Sequence, residues 1–135
     1  MISLLEYFGK FFDHVAATEE VLENAAELLE CVDRLMATAM DDGVNLPINP
    51  VTGSQVSGTQ YGGFRPPECL QGAATSSHKR GKGVDIYDPH NHLDDWITDE
   101  ILEECGLYRE HPEKTPHWVH LTTRAPGSKS RTFQP

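Results

Sequence analysis

The chain has 135 residues, 38% of them hydrophobic, and a formal net charge of −10. That length suits one domain with a modest core. The acidity argues against a nucleic-acid-binding surface, which is normally basic, and against electrostatic attraction to an anionic membrane or wall polymer.

The opening stretch "MISLLEYFGKFFDHV" has no basic leading region and no small-residue cleavage site, and charges interrupt its apolar run. It does not read as a secretory signal. No stretch reaches the roughly 20 apolar residues of a membrane span. A soluble monomer made in the cytoplasm is expected. A short helix is predicted around 3–13.

Residues 18–40 carry the clearest helical pattern. Val21, Ala25, Leu28, Val32, Leu35 and Ala39 recur at spacings of four and three, and Leu22, Leu29 and Met36 widen the stripe. Glu19, Glu20, Glu23, Glu27 and Glu30 form the wet face. Thr18 is the expected N-cap and Asp42-Gly43 the stop. The stripe lasts only about three heptads, so it is expected to pack on the chain's own sheet rather than in a coiled coil.

From 43 to 75 glycine, proline, serine, threonine and asparagine dominate, predicting loop with short strands. "TQYGGF" (59–64) is read as one strand and "KGVDIYD" (82–88) as another, the latter with Val84 and Ile86 on one face and Asp85 and Tyr87 on the other. In "PHNH", Asn91 or His92 is expected to cap a helix over 93–105 that turns Leu93, Trp96, Ile97, Ile101 and Leu102 inward and stops at Gly106. "HWVHLTT" (117–123) alternates as a strand, with His120 and Thr122 on one face; the tail from Ala125 is read as irregular. The predicted class is α+β, a single domain over 1–135, with a small antiparallel sheet and helices of the 1–42 segment packed against it. Cys31, Cys69 and Cys105 are odd in number and form no C-x-x-C pair, so free thiols are expected, with Cys31 and Cys105 buried in helices.

A catalytic metal site needs three protein ligands and one open position. His78, Asp85 and His120 meet that need if strand 83–87 lies beside strand 117–122, because Asp85 and His120 then project from one face. Gly81 and Gly83 would let His78 fold back over that face. On spacing alone, a surface or core histidine and a turn-capping aspartate are equally ordinary uses of these residues. The basic run Lys79, Arg80, Lys82 is read as a solvated turn.

The pattern "S-x-H-x-x-G-x-G-x-D" (Ser76, His78, Gly81, Gly83, Asp85), preceded by "GGFRPP" and followed by "WVHL", resembles the zinc D-alanyl-D-alanine carboxypeptidase family. That family includes the vancomycin-resistance dipeptidases and phage L-alanyl-D-glutamate endolysins, and it shares its fold with the hedgehog signalling domain. The similarity spans 56–124. It implies Zn2+ held by His78, Asp85 and His120, with Arg65 binding substrate and the developing oxyanion and Ser76 hydrogen-bonding substrate. The implied activity is hydrolysis of a peptide bond in bacterial peptidoglycan stem peptides or cross-links, in the manner of a phage lysis enzyme that reaches the wall through a separate membrane pore. Two positions depart from the family. Relatives carry Glu or Asp three residues before the last ligand, where this chain has His117, making His117 the expected general base. Relatives also carry an acid two residues after that ligand, where this chain has Thr122. A non-catalytic zinc-binding structural or interaction domain of the same fold is the rival expectation.

Overall fold

The structure is a computed structural model, and it describes residues 1–71 and 76–135. The end of the predicted 43–75 loop, residues 72–75, lies outside the described residues. The chain opens with α1 (Leu4–Phe8), where Ser3 and Glu6 form a capping box, and a 3-10 turn (Gly9–Phe11) completes the predicted first helix. Helix α2 (Glu19–Asp41) follows, with the Thr18 hydroxyl accepting from Val21 N at 3.3 Å as its N-cap. Its apolar stripe is buried: Ala25, Leu28, Val32, Leu35, Met36 and Ala39 are wholly enclosed. It lies against α1 and α4 and shares one buried cluster with Val84, Ile86, Val119 and Leu121 of the sheet. Among the described residues no helix is long and apolar enough to cross a membrane.

A four-stranded sheet forms the other layer: β1 (Gly83–Tyr87), β2 (Tyr108–Glu110), β3 (Trp118–Thr122) and β4 (Thr132–Phe133), in the order β1-β3-β2-β4. β1 pairs antiparallel with β3, with Val84 opposite Leu121, Asp85 opposite His120 and Ile86 opposite Val119. The alternation of strand side chains then gives the sheet two distinct faces. Val84, Ile86, Val119 and Leu121 enter the core, while Asp85, His120 and Thr122 share the other face.

Four expectations need correction. The sheet is mixed, because β4 runs parallel to β2, and the tail read as irregular supplies that strand. Residues 59–64 form no strand. The segment before β1 instead meets its free edge at one isolated bridge, Val56 to Ile86, made by Ser57 N to Asp85 O at 2.8 Å and Tyr87 N to Gln55 O at 2.7 Å, and at a further bond from Asp85 N to Gly62 O at 2.7 Å. Gly58, at φ +75°, turns the chain between those contacts, so the edge is covered by a loop rather than a ladder. The predicted 93–105 helix is two helices, α3 (His92–Trp96) and α4 (Asp99–Cys105). Ile97 is extended at their junction, and Thr98 caps the second through Ile101 N at 3.2 Å. Asn91 stands at the N-cap position of α3 as expected but makes no side-chain cap bond; those bonds come from Asp88, which accepts from Leu93 N at 3.0 Å and Asp94 N at 2.9 Å.

The three cysteines are buried and free. Leu28→Ala, at the centre of the α2 stripe, should destabilise the fold by about 2–5 kcal/mol in urea denaturation while leaving the metal stoichiometry of the folded protein unchanged. Loss of metal from a still-folded variant would contradict a purely scaffolding role for α2.

Candidate metal centre

The site begins with the β1–β3 register. Asp85 faces His120 across the ladder, and His120 Nδ1 lies 2.9 Å from Asp85 Oδ1. His78 reaches the same oxygen from outside the sheet, its Nε2 at 3.3 Å. It stands in a 3-10 turn (Ser77–Arg80) that Ser76 caps through His78 N and that Gly81 ends in the left-handed region at φ +74°. A Cβ on Gly81 would also press on Val21 O of α2 at 2.6 Å. The turn is pinned further by Lys79, whose Nζ donates to Cys69 O at 2.9 Å. Lys79 of the solvated basic turn is thus partly buried in a structural contact, while Arg80 is exposed.

His78 Nδ1 sits 2.8 Å from Gly63 O; in the tautomer that donates its proton there, Nε2 keeps a lone pair for a metal ion at the centre. His120 presents Nδ1 to the centre and Nε2 to Ser77 Oγ at 3.4 Å. Gly83 is required by this crowding, since a Cβ there would run into Ser77 Oγ and come within 3.1 Å of His120 Cε1. Tyr7, wholly buried, donates its hydroxyl to Gly83 O at 2.9 Å and so ties α1 to the start of β1.

Among the described residues, His78, Asp85 and His120 form a group whose ligand atoms all lie within 4.8 Å of one another and which could hold a metal ion. The chemistry of the donors suits one. Burial opposes a charge on Asp85, but His78 and hydrogen bonds from His120 and His78 outweigh it and hold the carboxyl well below its usual range. Burial also pushes His78 down, against the pull of Asp85. An ionised carboxylate and a neutral imidazole are the forms that bind metal.

Arg65 and Ser76 line the same cavity as the three ligands. Arg65 Nη2 lies 3.3 Å from Asp85 Oδ2, and its Nε donates to Tyr61 O at 2.8 Å. Its backbone N donates to His78 O at 3.2 Å, which couples the arginine to the ligand turn. His117 is not brought to the cluster. It precedes β3 in a left-handed conformation at φ +73°, is exposed, and rests its Nδ1 3.2 Å from Pro89 O. Thr122 lines the cavity on the ligand face, and its hydroxyl accepts from Arg124 N at 3.0 Å.

The residue that sequence reasoning missed is Glu110. The β2–β3 register sets Tyr108 opposite Thr122 and Arg109 opposite Leu121, and one further step brings Glu110 level with His120 on the ligand face. Glu110 lines the cavity but lies outside the ligand group. Burial pushes its carboxyl above the ordinary value, opposed by His120 and Arg65. The signal for it was the alternation of "LYRE", in which buried Leu107 and Arg109 share one side and Tyr108 and Glu110 the other. No protein-family model, curated protein or solved structure matches the chain.

Gly83→Ala should weaken divalent-metal affinity about 10–100-fold by displacing Ser77 and His120, in a protein that still folds; wild-type affinity in a competition titration would show that the crowding at Gly83 does not support the ligands. Protons compete for the same donors, so bound metal should be constant near neutral pH and fall on acidification through the imidazole and carboxylate ranges. Metal content that stays level down to about pH 4 would exclude His78 and His120 as ligands.

Proposed function

We propose that the protein is a zinc-dependent peptidase of the hedgehog/DD-peptidase-like fold, hydrolysing a peptide bond in bacterial peptidoglycan. One observation carries this reading: His78, Asp85 and His120, spread over 43 residues of chain, converge as three donors beside a cavity that also holds a guanidinium and a second carboxylate. Two imidazoles and one carboxylate with an open side are the donor set of hydrolytic zinc. Zinc held there would supply an activated water near neutral pH and a Lewis acid for the carbonyl.

The chain's own groups have separable tasks. Arg65 keeps a permanent charge at the edge of the cluster and can fork onto a substrate carboxylate or the oxygen that becomes negative during attack. Ser76 offers a hydroxyl to substrate backbone. Glu110 takes the acid–base task that the family resemblance implies for His117. Partial burial raises its carboxyl towards the pH at which it can accept a proton from the attacking water and return it to the leaving amine nitrogen. A phage-lysis setting, with access to the wall through a separate pore, is consistent with such an enzyme.

Purified protein loaded with zinc should release peptide fragments from isolated cell walls, identified by mass spectrometry. Glu110→Gln should keep one zinc per chain and lose on the order of 10²–10⁴ in kcat, while His117→Ala should digest walls as the wild type does. Undiminished turnover in Glu110→Gln would remove that residue from the mechanism. Zinc binding without any wall digestion by the wild type would leave the non-catalytic metal-binding domain as the reading.

A further inference from the structure

We infer that Cys31 and Cys105 form an oxidisable dithiol, a site at which a small disulfide oxidant such as glutathione disulfide converts two free thiols into a bond that staples α4 to α2. Neither cysteine lines the cavity of the metal centre, and the pair acts in the same way whether or not the protein is a peptidase.

Helix packing brings the two residues together from distant parts of the chain. Arg34 stands one turn beyond Cys31 on α2 and 71 positions before Cys105. Its Nη2 donates to Cys31 Sγ at 3.5 Å and to Cys105 O, the carbonyl at the end of α4, also at 3.5 Å. One guanidinium nitrogen thus bridges the sulfur of one cysteine and the backbone of the other. The same closeness shows at Gly106, the next residue, where an added Cβ would stand 3.8 Å from Cys31 Sγ. Both cysteines belong to the one buried cluster of the core. Neither is sealed in it. They keep 8% and 6% of their surface exposed, where Leu28, Leu35 and Leu102 of the same helices keep none, so a small reagent has a way in.

The sulfurs also sense each other. Burial pushes the Cys105 thiol up, Arg34 opposes that rise and Cys31 adds to it. Exchange then runs in two steps. One thiol gives its proton to water and attacks a sulfur of glutathione disulfide, which leaves a mixed disulfide and releases a glutathione thiolate. The second thiol loses its proton and attacks the protein sulfur of that intermediate, releasing the second glutathione thiolate. The protein loses two hydrogens with two electrons, and two molecules of glutathione thiol are formed.

The bond would join the middle of a 23-residue helix to the end of α4 and close a long loop of chain, which restricts the unfolded state. It would also fix the start of β2, because only Gly106 and Leu107 separate Cys105 from Tyr108. Reducing surroundings keep the thiols free and oxidising ones close the bond, so the chain gains a staple on passing from one to the other. Cys69 has a different neighbour, with its Sγ 3.9 Å from Gln71 O, and is left out.

The test treats the reduced full chain with glutathione disulfide at mildly alkaline pH. A peptide map under non-reducing conditions should link the Cys31 peptide to the Cys105 peptide and find Cys69 free to be alkylated. Tm should rise by about 5–15 °C over the reduced protein and return on adding dithiothreitol. Cys69→Ser should behave as the wild type, and the Tm of Cys105→Ser should not respond to the oxidant. A cross-link through Cys69, a disulfide-linked dimer, a glutathione adduct that never closes, or three free thiols after prolonged incubation would each overturn the inference. So would a Cys31–Cys105 bond that does not raise Tm. The map on the wild type decides the pairing even if the Cys105→Ser chain fails to fold.

Discussion

Asp85 is an ionised carboxylate with 9% of its surface exposed, in the middle of a strand between two core-facing residues. Taking such a charge out of water costs several kcal/mol unless partners replace the lost hydration. Here the partners are three. His120 meets Oδ1 from the neighbouring strand, His78 meets the same oxygen from the 3-10 turn, and Arg65 meets Oδ2 from the loop that covers the sheet edge. Each comes from a different element, so satisfying this one side chain requires the β1–β3 register, the Ser77–Arg80 turn and the 55–65 loop to be correct together. A one-residue slip of β1 against β3 would turn Asp85 into the apolar layer and Val84 or Ile86 out of it.

The remainder of the molecule holds those three approaches in place. Tyr7 and Phe8 of α1 bring the edge loop against the sheet. Tyr7 O accepts from Phe64 N at 3.2 Å, and the Phe8 and Phe64 rings lie 5.1 Å apart. Phe64 is followed by Arg65, so helix packing sets the height of the guanidinium over the cluster. On the other flank Asn24 of α2 donates to Arg80 O at 3.0 Å and closes the ligand turn against the long helix. The N-terminal helices are in this sense part of the site without contributing a ligand.

Across the sheet the polar face reads as a row. Asp85 on β1 and His120 on β3 are paired, Glu110 on β2 stands level with His120, and Phe133 on β4 pairs with Glu110. Phe133 presents its edge to the His120 ring at 6.5 Å and walls the cavity at that end. This row brings a carboxylate at 110 to the ligand face, while His117, three positions before His120, is not brought there. In a strand that offset lands on the opposite face, whereas a neighbouring strand in register delivers its side chain to the same one. The short parallel strand β4 extends the row and gives the cavity an apolar wall.

The 18–40 helix, its Thr18 cap and its Asp42-Gly43 stop were legible in sequence, because a stripe of period 3.6 and local capping chemistry need no information from distant residues. The same holds for β1 and β3, whose alternation already separated Asp85, His120 and Thr122 from Val84, Ile86, Val119 and Leu121. The ligand set was legible through its motif and through the single assumption that those two strands pair. Other features depended on partners far away in the chain. The 93–105 pattern stayed apolar through its break, so only the extended Ile97 and the cap at Thr98 reveal two helices. Thr132–Phe133 becomes a strand because Arg109 and Glu110 offer it a free edge, and residues 59–64 fail to become one because Gly58 turns the chain between the Val56–Ile86 bridge and the lone Asp85 N to Gly62 O bond. Glu110 belongs to the site only through the β2–β3 register, and His117 leaves it because its left-handed backbone turns the ring to Pro89 O. Local periodicity determines which face a side chain takes within its own element; which elements meet, and so which carboxylate stands beside the histidines, is decided by long-range pairing that no short stretch of sequence contains.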